Sequence, residues 1–318
     1  MKISIIIPTL NRPGELAVLL DSIVEQTKKP VEIIIVDQSD NRDTQQSAQE
    51  FKNDLPIRYF HFNEKSGAKS RNFGINRATG EIIAFLDDDT KLTPGYLYQI
   101  ERFFGLFPDA IGGMGKIINY REFRAKLFVN EKVYKLHKIL SSFFGLNSSK
   151  EGFLVLRSSR NTEQYDSEQT INTEWLSTCN CWYKKNIFTE FMFEERFEKW
   201  SFGEDRMLSH QIFKKYPAGL YFHPDARLYH FESPESRMAD KNKIFMKVIY
   251  QFWFFHSCIK RHPFFYWWAN MGEIIMHFIN SCIGREHIAD SYYYILANLR
   301  LMSNLKKVKA GNFSELIK

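Results

Sequence analysis

Three near-continuous apolar runs limit what this chain can fold into: Ile3-Ser4-Ile5-Ile6-Ile7, Val31-Glu32-Ile33-Ile34-Ile35-Val36 and Ile82-Ile83-Ala84-Phe85-Leu86. Strands with so little polar alternation must be covered on both faces. Between the first two, Leu16, Leu19, Leu20, Ile23 and Val24 recur at helical spacing behind Pro13-Gly14 at the helix entrance. Ile57 to Phe62 reads as a further strand, and Ser66 to Thr79 as a helix closed by Gly80. This repeated strand–helix–strand order predicts an α/β protein with a Rossmann-like, mostly parallel sheet flanked by helices. Ligands of such sheets bind beyond the carboxyl ends of the strands.

Reactive side chains stand at those ends. The second run stops at Asp37 and the third at Asp87-Asp88-Asp89. Three carboxylates at the end of a buried element repel one another unless a cation joins them. Oxygen donors suit a hard divalent ion, Mg²⁺ or Mn²⁺, sharing its shell with phosphate oxygens. An isolated acidic triplet reads equally well as a solvated turn; the convergence of Asp37 on the same crevice favours a site. A second acidic pair, Glu204-Asp205, opens a helix predicted to run to Tyr216, and a strand follows over Ala226 to Phe231. Acids at a helix start gain ~0.3–1 kcal/mol from the dipole, so this pair alone has a structural explanation.

Four ordered motifs resemble a family 2 nucleotide-sugar glycosyltransferase with the GT-A fold. They are Ile5 to Arg12 with Ile35-Val36-Asp37-Gln38-Ser39; Gly67 with Arg71-Asn72-Phe73-Gly74; Phe85 to Asp89; and Trp200-Ser201-Phe202-Gly203-Glu204-Asp205. The resemblance spans about the first 235 residues and implies a role for each position. Thr9, Asn11, Arg12 and Asp37 would border the nucleotide, Asp37 accepting a hydrogen bond from the base imide. Arg71, Asp87 and Asp88 would line the rest of the donor pocket, Arg71 pairing with the diphosphate. Asp89 would ligate Mn²⁺ or Mg²⁺, helped by Asp87 and by His230 in the final strand; His223 is expected to lie beyond that strand. Asp205 would be the general base, and Glu204, Trp200 and Trp182 would meet the acceptor. Gln38-Ser39-Asp40 departs from the family's usual residues after Asp37, which leaves the base open among UDP, dTDP and GDP, with UDP favoured.

The implied activity is inverting, metal-dependent transfer of a sugar to a hydroxyl of a glycan or lipid-linked acceptor in cell-surface polysaccharide synthesis. No Q-x-x-R-W motif is present, which points to nonprocessive action. A sugar-1-phosphate nucleotidyltransferase is the rival enzyme, but its early Gly-rich, Lys-containing loop is missing around Pro8 to Gly14. A non-catalytic glycan-assembly subunit would be expected to have lost Asp89 or Asp205, and both stand.

Charge divides the chain. From Lys241 to Lys318 there are eleven Lys/Arg and four Asp/Glu, whereas the first 240 residues hold 32 basic and 33 acidic residues. A near-neutral core argues against a nucleic-acid partner. The expected organisation is therefore a catalytic domain over 1–240 (donor half 1–119, acceptor half 174–240, with a mobile or variable segment 120–173 over the crevice) and a basic, aromatic helical tail over 241–318. Tyr250 to Trp268 places ten aromatic residues in nineteen positions. Glu273 and His277 interrupt the apolar run after it, whereas a spanning helix needs ~20 apolar residues. The tail is thus expected to lie on an anionic membrane surface, or else to be buried on the catalytic domain or in a homodimer interface. The amino terminus enters a strand directly, and Cys179, Cys181, Cys258 and Cys282 show neither disulfide nor zinc spacing. Together these give a cytoplasmic expectation, peripheral at the inner face of the plasma membrane.

Overall fold

The structure, a computed structural model, describes residues 1–120, 131–148, 150, 152–199, 201–231, 240–282 and 287–317. Two compact units are present: 1–121 with 165–237, and 122–164 with 238–318.

The first unit is built on one sheet. Its strands are β1 (Ile3–Thr9), β2 (Glu32–Asp37), β3 (Ile57–His61), β4 (Ile82–Leu86), β5 (Thr90–Leu92), β6 (Gly112–Ile117), β7 (Ile171–Asn172), β8 (Asn180–Lys184) and β9 (Leu220–His230). They lie in the order β3-β2-β1-β4-β8-β6-β9-β5, with β7 paired to β9. Strands β3, β2, β1 and β4 are parallel, as the apolar runs require. Strand β8 then joins antiparallel to β4 and β6. Every residue of β2 and β4 is buried. Helices α1 (Pro13–Val24), α2 (Asp43–Glu50), α3 (Gly67–Ile75) and α4 (Tyr96–Leu106) connect the early strands. Helix α3 starts at Ser66, whose hydroxyl accepts a hydrogen bond from the Lys69 amide. The last strand begins six residues before the expected Ala226, because its sequence signal is interrupted by Pro224. His223 therefore lies inside the strand; it is buried and bonded to Thr170 at 2.8 Å, so the expectation that it falls beyond the strand is corrected.

The second unit revises the expected division at residue 240. Helices α5 (Glu131–Phe143), α7 (Asp240–Phe254), α8 (Pro263–Cys282), α9 (Ile288–Ser303) and α10 (Leu305–Lys309) belong to it. Much of the stretch read as a variable loop is thus part of a helical unit, with Phe143 and Phe144 packed on Trp268. Of the ten clustered aromatics, Tyr250, Phe252, Trp253, Phe254, Phe255 and Tyr266 are buried core rather than free surface. Glu273, the charge that disqualified a spanning helix, is half-buried and paired with Arg160, Tyr294 and Lys247. Burial pushes its carboxyl up, but Arg160 and Lys247 hold it far below the ordinary range. Among the described residues, no helix is long and apolar enough to cross a membrane.

A buried acid, Glu32, ties the sheet together. The β1–β2 register sets Ser4 beside Glu32. Glu32 accepts hydrogen bonds from the Ser4 hydroxyl at 2.7 Å, the Thr79 hydroxyl at 2.6 Å and the Arg58 guanidinium. Burial alone would raise this carboxyl, but those donors bring it from an ordinary 4.5 to about 2. Its folded value lies below its unfolded one, so its contribution is complete above pH 4.5 and fades as pH falls through about 2. Glu32→Ala should cost ~1–3 kcal/mol at neutral pH by stranding buried donors. Urea titrations at pH 7 and pH 3 should show the gap between wild type and variant narrowing in acid; a gap that widens in acid contradicts this account.

Candidate active site

Strand register brings the early motif residues together. Thr9 ends β1 directly beside Asp37 at the end of β2. Asn11 follows with φ 54°, a left-handed conformation that asparagine tolerates. Its amide donates to the Ser39 hydroxyl at 2.7 Å, and its side-chain oxygen accepts from the Asp40 amide at 3.1 Å. Arg12 reaches across to the acidic triplet, 2.8 Å from Asp88 and 3.5 Å from Asp89. Burial pushes the Asp88 carboxyl up to about 7, helped by the neighbouring Asp89 and against the pull of Arg12.

The metal-competent group assembles through a different pairing. Strand β5 leaves the triplet at Thr90 and runs antiparallel to β9, so Thr90 faces His230 and the Phe231 amide donates to the Asp89 carbonyl at 2.9 Å. This draws the end of β9 onto the end of β4. Ligand atoms of Asp87, Asp89 and His230 lie within 4.8 Å of one another. The His230 Nε2 is 3.1 Å from Asp89. Burial pulls that imidazole down, but Cys179 and the Asp89 carboxylate raise it to about 11. Two carboxylates and an imidazole around one point fit a divalent cation, and the imidazole favours Mn²⁺ over Mg²⁺.

Arg71 links this trio to the second acidic pair. It is buried on α3, with its guanidinium 2.9 Å from Asp87 and 2.7 Å from Glu204. Gly67 makes room for it: a Cβ there would stand 2.9 Å from Arg71 Nη1. Helix α6 (Glu204–Lys215) begins after Gly203 at φ 88°, and Ser201 just before is also left-handed at φ 53°. The Ser201 hydroxyl accepts from the Ala68 amide at 3.1 Å and donates to the Phe197 carbonyl at 2.6 Å, fixing the α6 entrance to the α3 entrance. Burial pushes the Glu204 carboxyl up, Arg71 pulls it down and Asp205 raises it again, leaving it at about 8. Asp205 is half-buried and also raised by burial, while Arg206 and the Thr178 amide moderate the shift. Its Oδ1 accepts from the Arg206 amide at 2.7 Å.

Several expectations need correction. Trp182 is not at an acceptor surface: it is fully buried in β8, with its ring against Tyr96 and Phe103 and above Gly113. Inward parity on a central strand puts it in the core. Arg71 pairs with protein carboxylates in this structure rather than standing ready for a diphosphate. Asp37 is fully buried and already accepts from the Tyr59 hydroxyl and the Ser39 amide, so protein donors hold its carboxylate in this structure. Trp200 lies outside the described residues. Sequence reasoning missed Tyr59, Ser201 and Cys179, whose positions follow from pairing between distant segments. Ser201 sits inside a recognised motif, and Cys179 inside the Trp175 to Lys184 stretch, which resembles the family's segment flanking donor sugar and acceptor.

The match to a family model settles the ancestry. The glycosyl transferase family 2 model covers residues 4–191, more than half of the chain. The chain belongs to glycosyltransferase family 2. This family 2 chain is 30% identical over 200 residues to a Campylobacter jejuni protein named GalNAc(5)-diNAcBac-PP-undecaprenol beta-1,3-glucosyltransferase, covering 59% of this chain and 61% of that one. It is 32% identical over 162 residues to the Bacillus subtilis uncharacterized glycosyltransferase YwdF, covering 48% and 59% respectively. The chain thus spans about three-fifths of each of these two relatives. Among solved structures, residues 1–349 of S. aureus TarS, in complex with UDP-GlcNAc, align over 100% of this chain and 90% of that one, at TM-score 0.56 and 15% identity. That likeness establishes the GT-A fold of this family 2 member.

Two outcomes follow from the geometry. Arg71→Met removes the cation between two acids, and breaking a buried pair from one side costs ~3–5 kcal/mol; chemical denaturation reads this directly, and a loss under ~1 kcal/mol would show that water already screens the pair. Asp89→Ala should abolish Mn²⁺ binding measured by calorimetry on the protein with a nucleotide sugar, while circular dichroism stays unchanged. Undiminished Mn²⁺ binding in that variant would remove Asp89 from the metal group.

Proposed function

We propose that this chain is an inverting, nonprocessive, metal-dependent glycosyltransferase. It moves a sugar from a nucleoside-diphosphate sugar to a hydroxyl of a glycan or lipid-linked acceptor in cell-surface polysaccharide synthesis. The observation that carries this reading is the buried Arg71 bridge, which joins one metal-competent carboxylate, Asp87, to the neighbour of the candidate base, Glu204. Donor and acceptor chemistry then sit on either side of one guanidinium. TarS is solved with UDP-GlcNAc and with UDP, which supports a UDP-sugar donor here. The C. jejuni relative's name includes a PP-undecaprenol acceptor, which supports a lipid-linked one.

Mn²⁺ or Mg²⁺ held by Asp89, Asp87 and His230 would neutralise charge growing on the departing nucleoside diphosphate. Thr9, Asn11 and Arg12 shape the loops at the donor end, and Asp88 holds Arg12 in place. Asp205 takes the acceptor proton. The Arg206 amide orients it, and partial burial lifts its affinity for a proton toward the range where a carboxylate base works well. Glu204 remains paired to Arg71 and faces the acceptor side. One base and a good leaving group make a single in-line displacement, which inverts the anomeric centre. The basic, aromatic helical unit supports a peripheral position at the cytosolic membrane face.

Asp205→Asn keeps shape and hydrogen bonding but cannot accept the proton. Donor affinity should hold by calorimetry while sugar transfer, followed by nucleotide release with acceptor present, falls ~10²–10⁴-fold. Because burial raises the Asp205 carboxyl, the acid limb of the wild-type pH–rate profile should lie above the ordinary aspartate range. A wild-type rate in the asparagine variant would move the base elsewhere, with Glu204 next.

A further inference from the structure

The helical unit holds a cavity of about 610 Å³ that the transfer reading does not use. Phe252, Trp253 and Phe255 line it and are themselves buried, so they form its floor. Lys260, Arg261 and Lys309 line it and are exposed, so they form its mouth. No acidic residue is among its walls. Among the described residues, the unit's ion pairs engage Arg160 and Lys247 with Glu273 and leave those three cations aside.

The backbone at the mouth is unusual. Phe255–Ile259 is a π-helical turn, a form that recurs at functional sites. It ends in Lys260 at φ 51°, a left-handed lysine whose amide donates to the Phe255 carbonyl at 2.9 Å. Burial first, and then Lys309 and Lys260, hold the His256 imidazole beside this rim below its ordinary range.

We infer that this cavity binds an amphiphile with a phosphate headgroup, the headgroup among Lys260, Arg261 and Lys309 and the apolar chain against the aromatic floor. Cations without acidic partners recognise the anion, and buried rings recognise the chain; neither half explains the other. A lipid in a bilayer is the source that the surroundings favour. On α9, Ile288, Tyr292, Ile295, Leu299 and Met302 repeat at alternating four- and three-residue steps, and each is between 43% and 71% exposed. This line ends three residues before Leu305, which also lines the cavity. The inference does not depend on the transfer reading.

Calorimetry on the full chain with dodecyl phosphate below its micellar concentration, dodecyl maltoside and inorganic phosphate tests the site. Dodecyl phosphate should bind saturably and at least about tenfold more tightly than either control. The double variant Arg261→Gln, Lys309→Gln replaces exposed side chains, so circular dichroism should be unchanged, while affinity for dodecyl phosphate falls about tenfold or more, as two charges of ~1 kcal/mol each imply. Co-sedimentation with phosphatidylglycerol-containing and pure phosphatidylcholine vesicles separates the sources. Loss of anionic-vesicle binding in the variant assigns a bilayer lipid. Dodecyl phosphate binding without vesicle binding assigns a phosphorylated amphiphile taken up from solution. Equal affinity for the neutral amphiphile, no saturable binding, or an unchanged affinity in a folded double variant would overturn the proposal.

Discussion

The double ion pair of Arg71 is the constraint on which the site depends. A guanidinium has a fixed fork of donors and stays charged when buried, so it holds two carboxylates at once in a set geometry. Here it holds Asp87, from the end of β4, and Glu204, from the first turn of α6. Without it, desolvation and mutual repulsion would push these acids toward protonation or drive the elements apart. Gly67 and Ser201 serve the same end. One clears space for the guanidinium, and the other hydrogen-bonds the entrance of α6 to that of α3.

A second neutralisation acts on the other side of the triplet. Arg12 and His230 face Asp88 and Asp89, so each acid in the run has a cationic neighbour contributed by another element. The acidic run is therefore neutralised by side chains of other elements and does not rely on an ion to fold. Such an arrangement offsets the repulsion among the carboxylates and leaves the trio of Asp87, Asp89 and His230 close enough to accept a metal. It also explains why Asp88, the member least able to join that trio, is the one placed opposite Arg12.

The helical unit obeys different physics. Its core is aromatic, and Glu273 is shared by Arg160, Tyr294 and Lys247 in one network. Arg160, read from sequence as part of a variable loop, supplies the buried cation that pairs with Glu273. A polar stretch such as Ser158 to Thr162 carries no hydrophobic period, so its role as the partner of a distant acid has no local signature. The surplus cations stay outside this network.

Sequence alone determined the parallel β-strands, the helices between them and the acids at strand ends, because apolar periodicity and strand termination are local properties. Asp87, Asp89, Glu204 and Asp205 could be singled out for the same reason: each sits where a recognisable run stops or a helix starts. Tertiary structure decided the rest. It turned Trp182 inward, set Tyr59 against Asp37, placed His223 within a strand broken in appearance by Pro224, and gave residues 122–164 to the helical unit. It also drew His230 onto Asp89 through the pairing of β5 with β9. Each of these depends on which distant segments pair and which face a side chain takes. Such choices are fixed only when burial and hydrogen bonding are satisfied across the whole unit.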